Sequence, residues 1–93
     1  MILSFKSKDT ELIWDQKYSK RIPTDIQQVA LRKLFMIHHA LELKDLRIPP
    51  ANRLEKLKGE REGQHSVRIN DQWRICFKWD GNNAHEVEIV DYH

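Results

Sequence analysis

The last three residues of the chain, Asp91, Tyr92 and His93, place an acid, a phenol and an imidazole in consecutive positions. A histidine side chain can give or take a proton near neutral pH. A tyrosine can stack on a nucleic-acid base or hydrogen-bond to a phosphate. Residues at a chain end are also commonly a frayed tail, so position alone leaves a functional role and a loose end equally open.

Three cations add a second element of the same chemistry. Arg68 and Arg74 carry planar guanidinium groups that match two phosphate oxygens at once, and Lys58 supplies a point charge. Metal-free cleavage of an RNA phosphodiester needs such cations to stabilise the extra negative charge that develops on the phosphate. Their simplest alternative role is solubility, since charged residues usually cover the solvent face of a sheet.

The same reaction needs a base to deprotonate the 2′-hydroxyl and an acid to protonate the departing 5′-oxygen. Glu55 and Asp91 are the candidate bases, and His93 is the candidate acid. Glu55 also stands next to Lys56 and close to Lys58, so a solvated ion cluster is its alternative. The sequence therefore offers a candidate for every part of metal-free RNA cleavage.

Histidine and cysteine spacing argues against a metal site. His65, Cys76 and His85 are scattered and lack the short spacings of structural zinc sites. His38 and His39 are adjacent in a predicted helix, where they point about 100° apart and are poorly placed to share a metal. We predict no metal site and no cofactor.

Length and composition indicate a single soluble domain spanning residues 1–93, with 40% hydrophobic and 32% charged residues. No apolar run approaches the roughly 18 residues that a membrane span needs, and the first residues do not resemble a signal peptide. One cysteine excludes an internal disulfide and favours the reducing cytoplasm.

Residues 1–79 carry a net charge of +6 and residues 80–93 carry −4. The basic part is suited to a polyanion.

Hydrophobic periodicity predicts the first half of the fold. Residues 2–5 are a candidate strand, and residues 9–20 form a candidate amphipathic helix. Thr24 and Gln27 have the spacing of a capping box, so a second helix should begin at Thr24. Its apolar residues recur at intervals of three and four. They are Ile26, Val29, Ala30, Leu34, Ile37 and Leu41.

The second half changes to a period of two. Residues 43–63, with Pro49 and Pro50, break the helical pattern and form a long loop. Strands are predicted near residues 66–70, 73–79 and 84–93, joined by turns at 70–72 and 80–83. The order β-α-α-β-β-β predicts an α+β fold in which two helices pack on one face of an antiparallel sheet.

The opposite face of that sheet should be open to solvent. Strand alternation places Arg68, Arg74 and Lys78 on it, and it turns Tyr92 toward Arg74 but His93 the other way. A terminal residue need not follow the pleat. We therefore expect the chain to leave the last strand near Asp91 so that His93 folds back toward the arginines.

The stretch "NRLEKLKGEREGQHSVRINDQWRICF" and the ending "VEIVDYH" resemble the HigB toxins of bacterial toxin–antitoxin systems, a branch of the RelE superfamily. The resemblance extends over nearly the whole chain. It rests on a Leu-x-Gly loop, an arginine-bearing strand, a hairpin, a Trp-Arg pair and a Tyr-His end, in that order.

That resemblance implies a RelE-like fold and a toxin that cuts messenger RNA in the A site of the 70S ribosome. It also implies neutralisation by a HigA antitoxin with a helix-turn-helix domain. By the family pattern, Lys58 is the loop lysine and Arg68 and Arg74 face the phosphate, while Asp91, Tyr92 and His93 complete the site. Glu55 stands where some HigB toxins have histidine and where a related branch uses glutamate as its base. Further basic residues are expected to contact RNA or the ribosome, namely Arg53, Lys56, Arg61 and Lys78.

Two other functions use the same fold without catalysis. One is a binding toxin similar to the ParE branch, which targets DNA gyrase, and the other is an RNA-binding adaptor. Neither needs the combination of Lys58, Arg68, Arg74, Tyr92 and His93. That combination therefore favours the nuclease.

Overall fold

The fold, described for residues 1–92 in a computed structural model, is two helices followed by a four-stranded sheet. The helices are α1 (Lys8–Trp14) and α2 (Thr24–His39). The strands are β1 (Glu55–Lys56), β2 (Gln64–Arg68), β3 (Trp73–Asp80) and β4 (Asn83–Asp91). They form one sheet in the order β1-β2-β3-β4, with every neighbouring pair antiparallel. Both helices pack against it, which confirms the predicted α+β class.

The hydrophobic core lies between α2 and one face of the sheet. Ala30, Leu34 and Ile37 of α2 and Ile75 and Phe77 of β3 are completely buried there. Burying a side chain of the size of leucine, isoleucine or phenylalanine stabilises a fold by roughly 1.5–3 kcal/mol. The apolar stripe that predicted α2 is therefore also what attaches it to the sheet.

Helix α2 begins at Thr24 as predicted, but the predicted capping box is absent. The Gln27 side chain instead donates from Nε2 to the carbonyls of Ser19 at 2.9 Å and Ile22 at 2.7 Å, which braces the preceding turn. The helix ends at His39, so Leu41 lies outside the stripe and is 72% exposed.

Helix α1 is shorter than predicted, because it ends at Trp14 and does not continue to Lys20. Gln16 adopts a left-handed conformation with φ of 61°. The amide of Gln16 then donates to the carbonyl of Ile13, and the amide of Lys17 donates to that of Leu12. These two bonds form a Schellman motif, which usually requires glycine at the left-handed position. Gln16 gives no such signal in the sequence.

The predicted N-terminal strand pairs with the sheet without forming a regular strand. It makes two isolated parallel bridges to β4, from Ile2 to Ala84 and from Phe5 to Val87. Between them Glu86 has a φ of 51° and its amide donates to the Ser4 hydroxyl, which interrupts the ladder. The segment still anchors the N-terminus, and the amide of Ile2 also donates to Nδ1 of His38.

The predicted loop at residues 43–63 contains structure of its own. Three short 3-10 turns lie at Leu43–Arg47, Pro50–Asn52 and Gly59–Arg61, and β1 lies between the last two. Strand β1 pairs Glu55 with Ser66 of β2. The loop therefore returns to the edge of the sheet and places Glu55 on the face away from the helices. Within residues 1–92, no helix is both long and apolar enough to cross a membrane.

Candidate active site

Arg74 is the centre of the candidate site, and it is buried where the sequence predicted an exposed cation. Arg74 pairs directly with Arg68 across β2 and β3, so both stand on the face away from the helices, as predicted. Only 8% of Arg74 is exposed, and Ser66 and Cys76 on the same face are fully buried. The prediction of an open, solvated face is therefore wrong around Arg74, because the returning loop and the arginine side chain cover it.

The guanidinium of Arg74 is fixed by groups from three parts of the chain. Its Nε donates to the Ser66 hydroxyl at 2.7 Å, and its Nη2 donates to the carbonyl of Arg53 at 2.6 Å. The carboxylate of Glu55 lies 3.9 Å from Nη2. The Tyr92 ring lies beside the group, with its centroid 5.9 Å from Cζ. An arginine held in this way needs no reorganisation when an anion arrives, which strengthens electrostatic stabilisation of developing charge.

A cleft of about 330 Å³ opens in front of this guanidinium. Its walls contain predicted catalytic residues and other polar groups, and they carry more positive than negative charge. The lining residues are Arg53, Glu55, Arg68, Asn70, Asp71, Arg74 and Tyr92. The structure thus brings together four of the seven predicted catalytic residues, namely Glu55, Arg68, Arg74 and Tyr92.

Arg68 enters the cleft from β2 and is partly exposed. Its Nη2 is paired with the Asp71 carboxylate of the following turn, and Asp71 is almost fully solvated. An exposed ion pair of this kind contributes little, roughly 0–1 kcal/mol. A phosphate can therefore replace Asp71 as the partner of Arg68 at small cost. Asp71 was not predicted, although a carboxylate three residues from Arg68 in a tight turn was visible in the sequence.

The turn between β2 and β3 also fixes the end of β4. Asn70 accepts hydrogen bonds at Oδ1 from the amides of Gln72 and Trp73, a side-chain turn typical of asparagine. The carbonyl of Gln72 accepts from the Tyr92 amide at 2.6 Å. These bonds hold Tyr92 over the cleft with 38% of its surface exposed.

Asp91 is placed differently from Tyr92. It pairs with Trp73 across the sheet and accepts a hydrogen bond at Oδ2 from Nε2 of Gln72 at 3.0 Å. It does not line the cleft, so the structure does not bring it to the candidate base position. His93 lies outside the described residues, and so does the predicted turn of its side chain toward the arginines.

The predicted cations Lys56, Lys58, Arg61 and Lys78 do not line the cleft. Lys58 is exposed three residues beyond Glu55. Arg61 is held by Gln64 at 3.1 Å and by Glu88 at 3.4 Å, and Lys78 pairs with Glu86 at 2.6 Å. Lys56 lines a separate groove of about 390 Å³, whose walls are Leu43, Lys44, Arg47, Leu54, Lys56 and His65. Of the four predicted RNA contacts, Arg53 alone among them lines the cleft.

The ion pair of Arg61 and Glu88 allows a test of whether the sheet face that carries Arg74 and Cys76 is covered. Cys76 pairs with Glu88 across β3 and β4 and is completely buried, and this burial raises the pKa of its thiol. We expect Arg61→Ala to increase the rate at which a thiol reagent modifies folded Cys76 by several-fold, because the substitution removes one side of the cover. The loss of the Arg61 charge, which lowers the pKa of the thiol, acts in the opposite direction and is the smaller effect for a completely buried thiol. Lys58→Ala, which removes an exposed cation of the same loop, should leave the rate unchanged. Equal rates in the wild type and Arg61→Ala would show that Arg61 does not cover the thiol.

Two supporting residues escaped prediction although signals existed. Ser66 precedes Val67 in β2, and its place on the face of Arg74 follows from the register of the hairpin. Lys33 falls on the apolar stripe of α2 and is buried. A lysine at a core position is rare, so its place in the stripe is a signal that the sequence offers. In residues 1–92, no group of three histidine, cysteine or acidic side chains is arranged to hold a metal ion.

Comparisons with known proteins agree with the geometry. A model of the family described as "RelE-like toxin of type II toxin-antitoxin system HigB" matches residues 3–93. "Toxin HigB-1" of Vibrio cholerae serotype O1 is 42% identical over 80 residues, which are 85% of this chain and 84% of that protein. "Endoribonuclease HigB" of Proteus vulgaris is 33% identical over 94 residues and is matched over 100% of both chains.

The fold itself recurs in a solved structure. A chain of the YoeB-YefM complex from Staphylococcus aureus superposes with a TM-score of 0.61 at 22% identity, covering 100% of this chain and 98% of that one. At that identity the likeness concerns the fold alone. The family match and the two similar relatives decide the assignment: the chain belongs to the RelE-like HigB toxins of type II toxin–antitoxin systems.

Proposed function

We propose that this toxin is an endoribonuclease that cuts messenger RNA on the ribosome. The observation that carries the proposal is the immobilised Arg74 guanidinium beside the Glu55 carboxylate, in a cleft that Arg68 and Tyr92 complete. One relative, the Proteus vulgaris protein, is named an endoribonuclease. A cation fixed next to a carboxylate is suited to a reaction in which a proton leaves and a phosphate gains charge.

In the proposed reaction the Glu55 carboxylate takes the proton of the 2′-hydroxyl. The 2′-oxygen then forms a bond to phosphorus, and the bond from phosphorus to the 5′-oxygen breaks. The products are a 2′,3′-cyclic phosphate and a free 5′-hydroxyl. Arg74 and Arg68 stabilise the additional charge on the phosphate oxygens. The proposed acid for the 5′-oxygen is His93, which lies outside the described residues.

Other residues of the cleft are proposed to position the substrate. Tyr92 presents an exposed ring next to Arg74, on which a base can stack. Asp91, bonded to Gln72, steadies the end of β4 that carries Tyr92. Lys58 reaches the phosphate from outside the cleft. No step requires a metal ion or a cofactor.

The small size of the cleft supports the proposed dependence on the ribosome. A cleft of about 330 Å³ holds little more than one nucleotide, so it contributes limited affinity for a flexible message. A ribosome that holds the message in its A site supplies the in-line geometry of the 2′-oxygen, and such positioning is worth several kcal/mol. Lys56, Arg61 and Lys78 are proposed to contact ribosomal RNA through salt-sensitive binding. The site of action is then the cytoplasm.

A toxin of a type II system is paired with an antitoxin, and the solved chain of similar fold comes from a complex with YefM. We propose a HigA-type antitoxin with a helix-turn-helix domain as the partner of this chain. Copurification of the coexpressed proteins is the direct check.

The nuclease is tested by adding the purified protein to 70S ribosomes programmed with a defined message. Primer extension should give discrete ends within the codon in the A site, and the same message without ribosomes should stay intact. Cutting of the free message at an equal rate would remove the ribosome from the proposal. A message left intact in both samples would contradict the nuclease and favour a binding toxin.

A further inference from the structure

A buried lysine lies behind the cleft and has no role in the chemistry described above. Lys33 is on the core-facing side of α2 and is only 5% exposed. Its ammonium group donates to Oδ1 of Asn52, and within residues 1–92 it forms no salt bridge. Burial and the nearby charges of Arg32 and Arg68 lower the pKa of Lys33. A buried cation without a carboxylate is costly, and an apolar residue of similar volume is often at least as stable. Stability alone therefore does not explain this lysine.

Asn52, the partner of Lys33, ties down the segment that precedes β1. It is completely buried. Its side-chain Nδ2 donates to the carbonyls of Leu46 at 3.2 Å and Ile48 at 3.4 Å. Its backbone amide donates to the carbonyl of Pro49 at 2.9 Å. Asn52 therefore holds residues 46–52 in a compact turn. Lys33 connects that turn to α2.

Arg53, the residue after Asn52, connects this turn to the cleft. Arg53 follows Asn52 with φ of 44°, a left-handed conformation that is unfavourable for a residue with a side chain. In this conformation its carbonyl accepts the hydrogen bond from Nη2 of Arg74 at 2.6 Å. Glu55 lies two residues further along the same segment. The contacts therefore run without a gap from α2 through Lys33, Asn52 and Arg53 to Arg74.

We propose that Lys33 is a positioning residue of the cleft: through Asn52 it holds the Arg53 carbonyl and the Glu55 carboxylate against the Arg74 guanidinium. This inference rests on the proposed nuclease function. It assigns the buried ammonium to the geometry of the site, since Lys33 does not touch the substrate. Its second consequence is electrostatic, because a buried cation near Arg68 adds to the positive potential behind the phosphate.

The test compares Lys33→Met, which keeps the volume and removes the hydrogen bond, with Arg32→Met, which removes an exposed charge from the same helix. On programmed ribosomes, Lys33→Met should lower kcat by about tenfold or more, because small displacements of catalytic groups have large effects on rate. KM for the ribosomes should stay within about twofold, since the basic surface is intact. Arg32→Met should keep the wild-type kcat. A Lys33→Met variant with wild-type kcat would overturn the inference.

A second variant and a spectroscopic measurement separate positioning from folding. Asn52→Asp keeps an acceptor for Lys33 but places a carboxylate against the carbonyls of Leu46 and Ile48, so it should reproduce the loss of kcat. In folded Lys33→Met, the NMR signal of the Arg74 Nε–H group should shift from its wild-type position. An unshifted signal, or full activity of Asn52→Asp, would contradict the inference.

The same measurements distinguish failure of the inference from failure of the proposed function. If the wild-type protein leaves the message intact on ribosomes, the nuclease is wrong. The Arg74 signal still reports whether Lys33 holds that side chain. If the wild type cuts and both variants cut equally well with an unshifted signal, the inference alone fails.

Discussion

Substituting Arg74 by lysine is expected to lower message cleavage on programmed ribosomes by about 10²- to 10³-fold, the usual effect of removing one preorganised donor from a charge-stabilising site. The guanidinium bonds Ser66 through Nε and the Arg53 carbonyl through Nη2 while it faces the cleft. A lysine has one nitrogen and cannot make both bonds and still present a fork to the phosphate. Primer extension over a series of times gives the rate.

The matched control for this prediction is Arg68→Lys. Within residues 1–92, Arg68 is paired only with the solvated Asp71, so its side chain is less constrained and a lysine can replace it with a smaller loss. Arg74→Lys should also destabilise the fold by about 1–3 kcal/mol, because the buried Ser66 hydroxyl loses its partner. Urea denaturation measures this loss. Near-normal cleavage by Arg74→Lys would show that the fixed guanidinium is not the phosphate site.

Substituting Glu55 by glutamine is expected to reduce cleavage by about 10²- to 10⁴-fold, the range for loss of a general base. Glutamine keeps the shape of the side chain and cannot accept the 2′-hydroxyl proton. The Glu55 side chain is about half exposed, and its contact with Arg74 at 3.9 Å is long. Its removal should therefore change the free energy of unfolding by less than about 1 kcal/mol. Single-turnover cleavage and urea denaturation separate the two effects.

A second substitution at the same position sharpens this prediction. An imidazole can accept a proton and an amide cannot, so Glu55→His should cut faster than Glu55→Gln. Glu60→Gln, an exposed acid of the same loop, is the neutral control. Wild-type cleavage by Glu55→Gln would assign the base elsewhere.

The four predicted catalytic residues that meet in the cleft are Glu55, Arg68, Arg74 and Tyr92. The sequence did not predict that Arg74 is buried or how Glu55 reaches the site. Arg68 and Arg74 were predicted on one sheet face from the alternation of β2 and β3, and the register confirms that placement. Their exposure was not predictable, because alternation says which face a side chain occupies and nothing about what covers that face. Glu55 reaches the site only because β1 pairs with β2. Two residues of strand are too short to give a periodic signal.

The contact between Lys33 and Asn52 could not be predicted from the sequence. Lysine at a core position of α2 was visible as an anomaly in the stripe, but its partner stands 19 residues away in an irregular turn. No local pattern encodes that contact, since it depends on how the turn at residues 46–52 folds against the helix. The same is true of the Arg53 carbonyl, which faces Arg74 because of one left-handed residue.

The sequence by itself determined the two helices and the three antiparallel strands β2 to β4 that follow them, the start of α2 and the family resemblance. These depend on periodicity and turn residues, which act over a few positions. Only the tertiary structure decided that Arg74 is buried and immobilised, that Glu55, Arg68 and Tyr92 surround it, and that Asp91 lies apart. The physical reason is that a buried guanidinium is costly unless it donates hydrogen bonds to nearby acceptors. Its acceptors come from segments that meet only when the loop returns to the sheet.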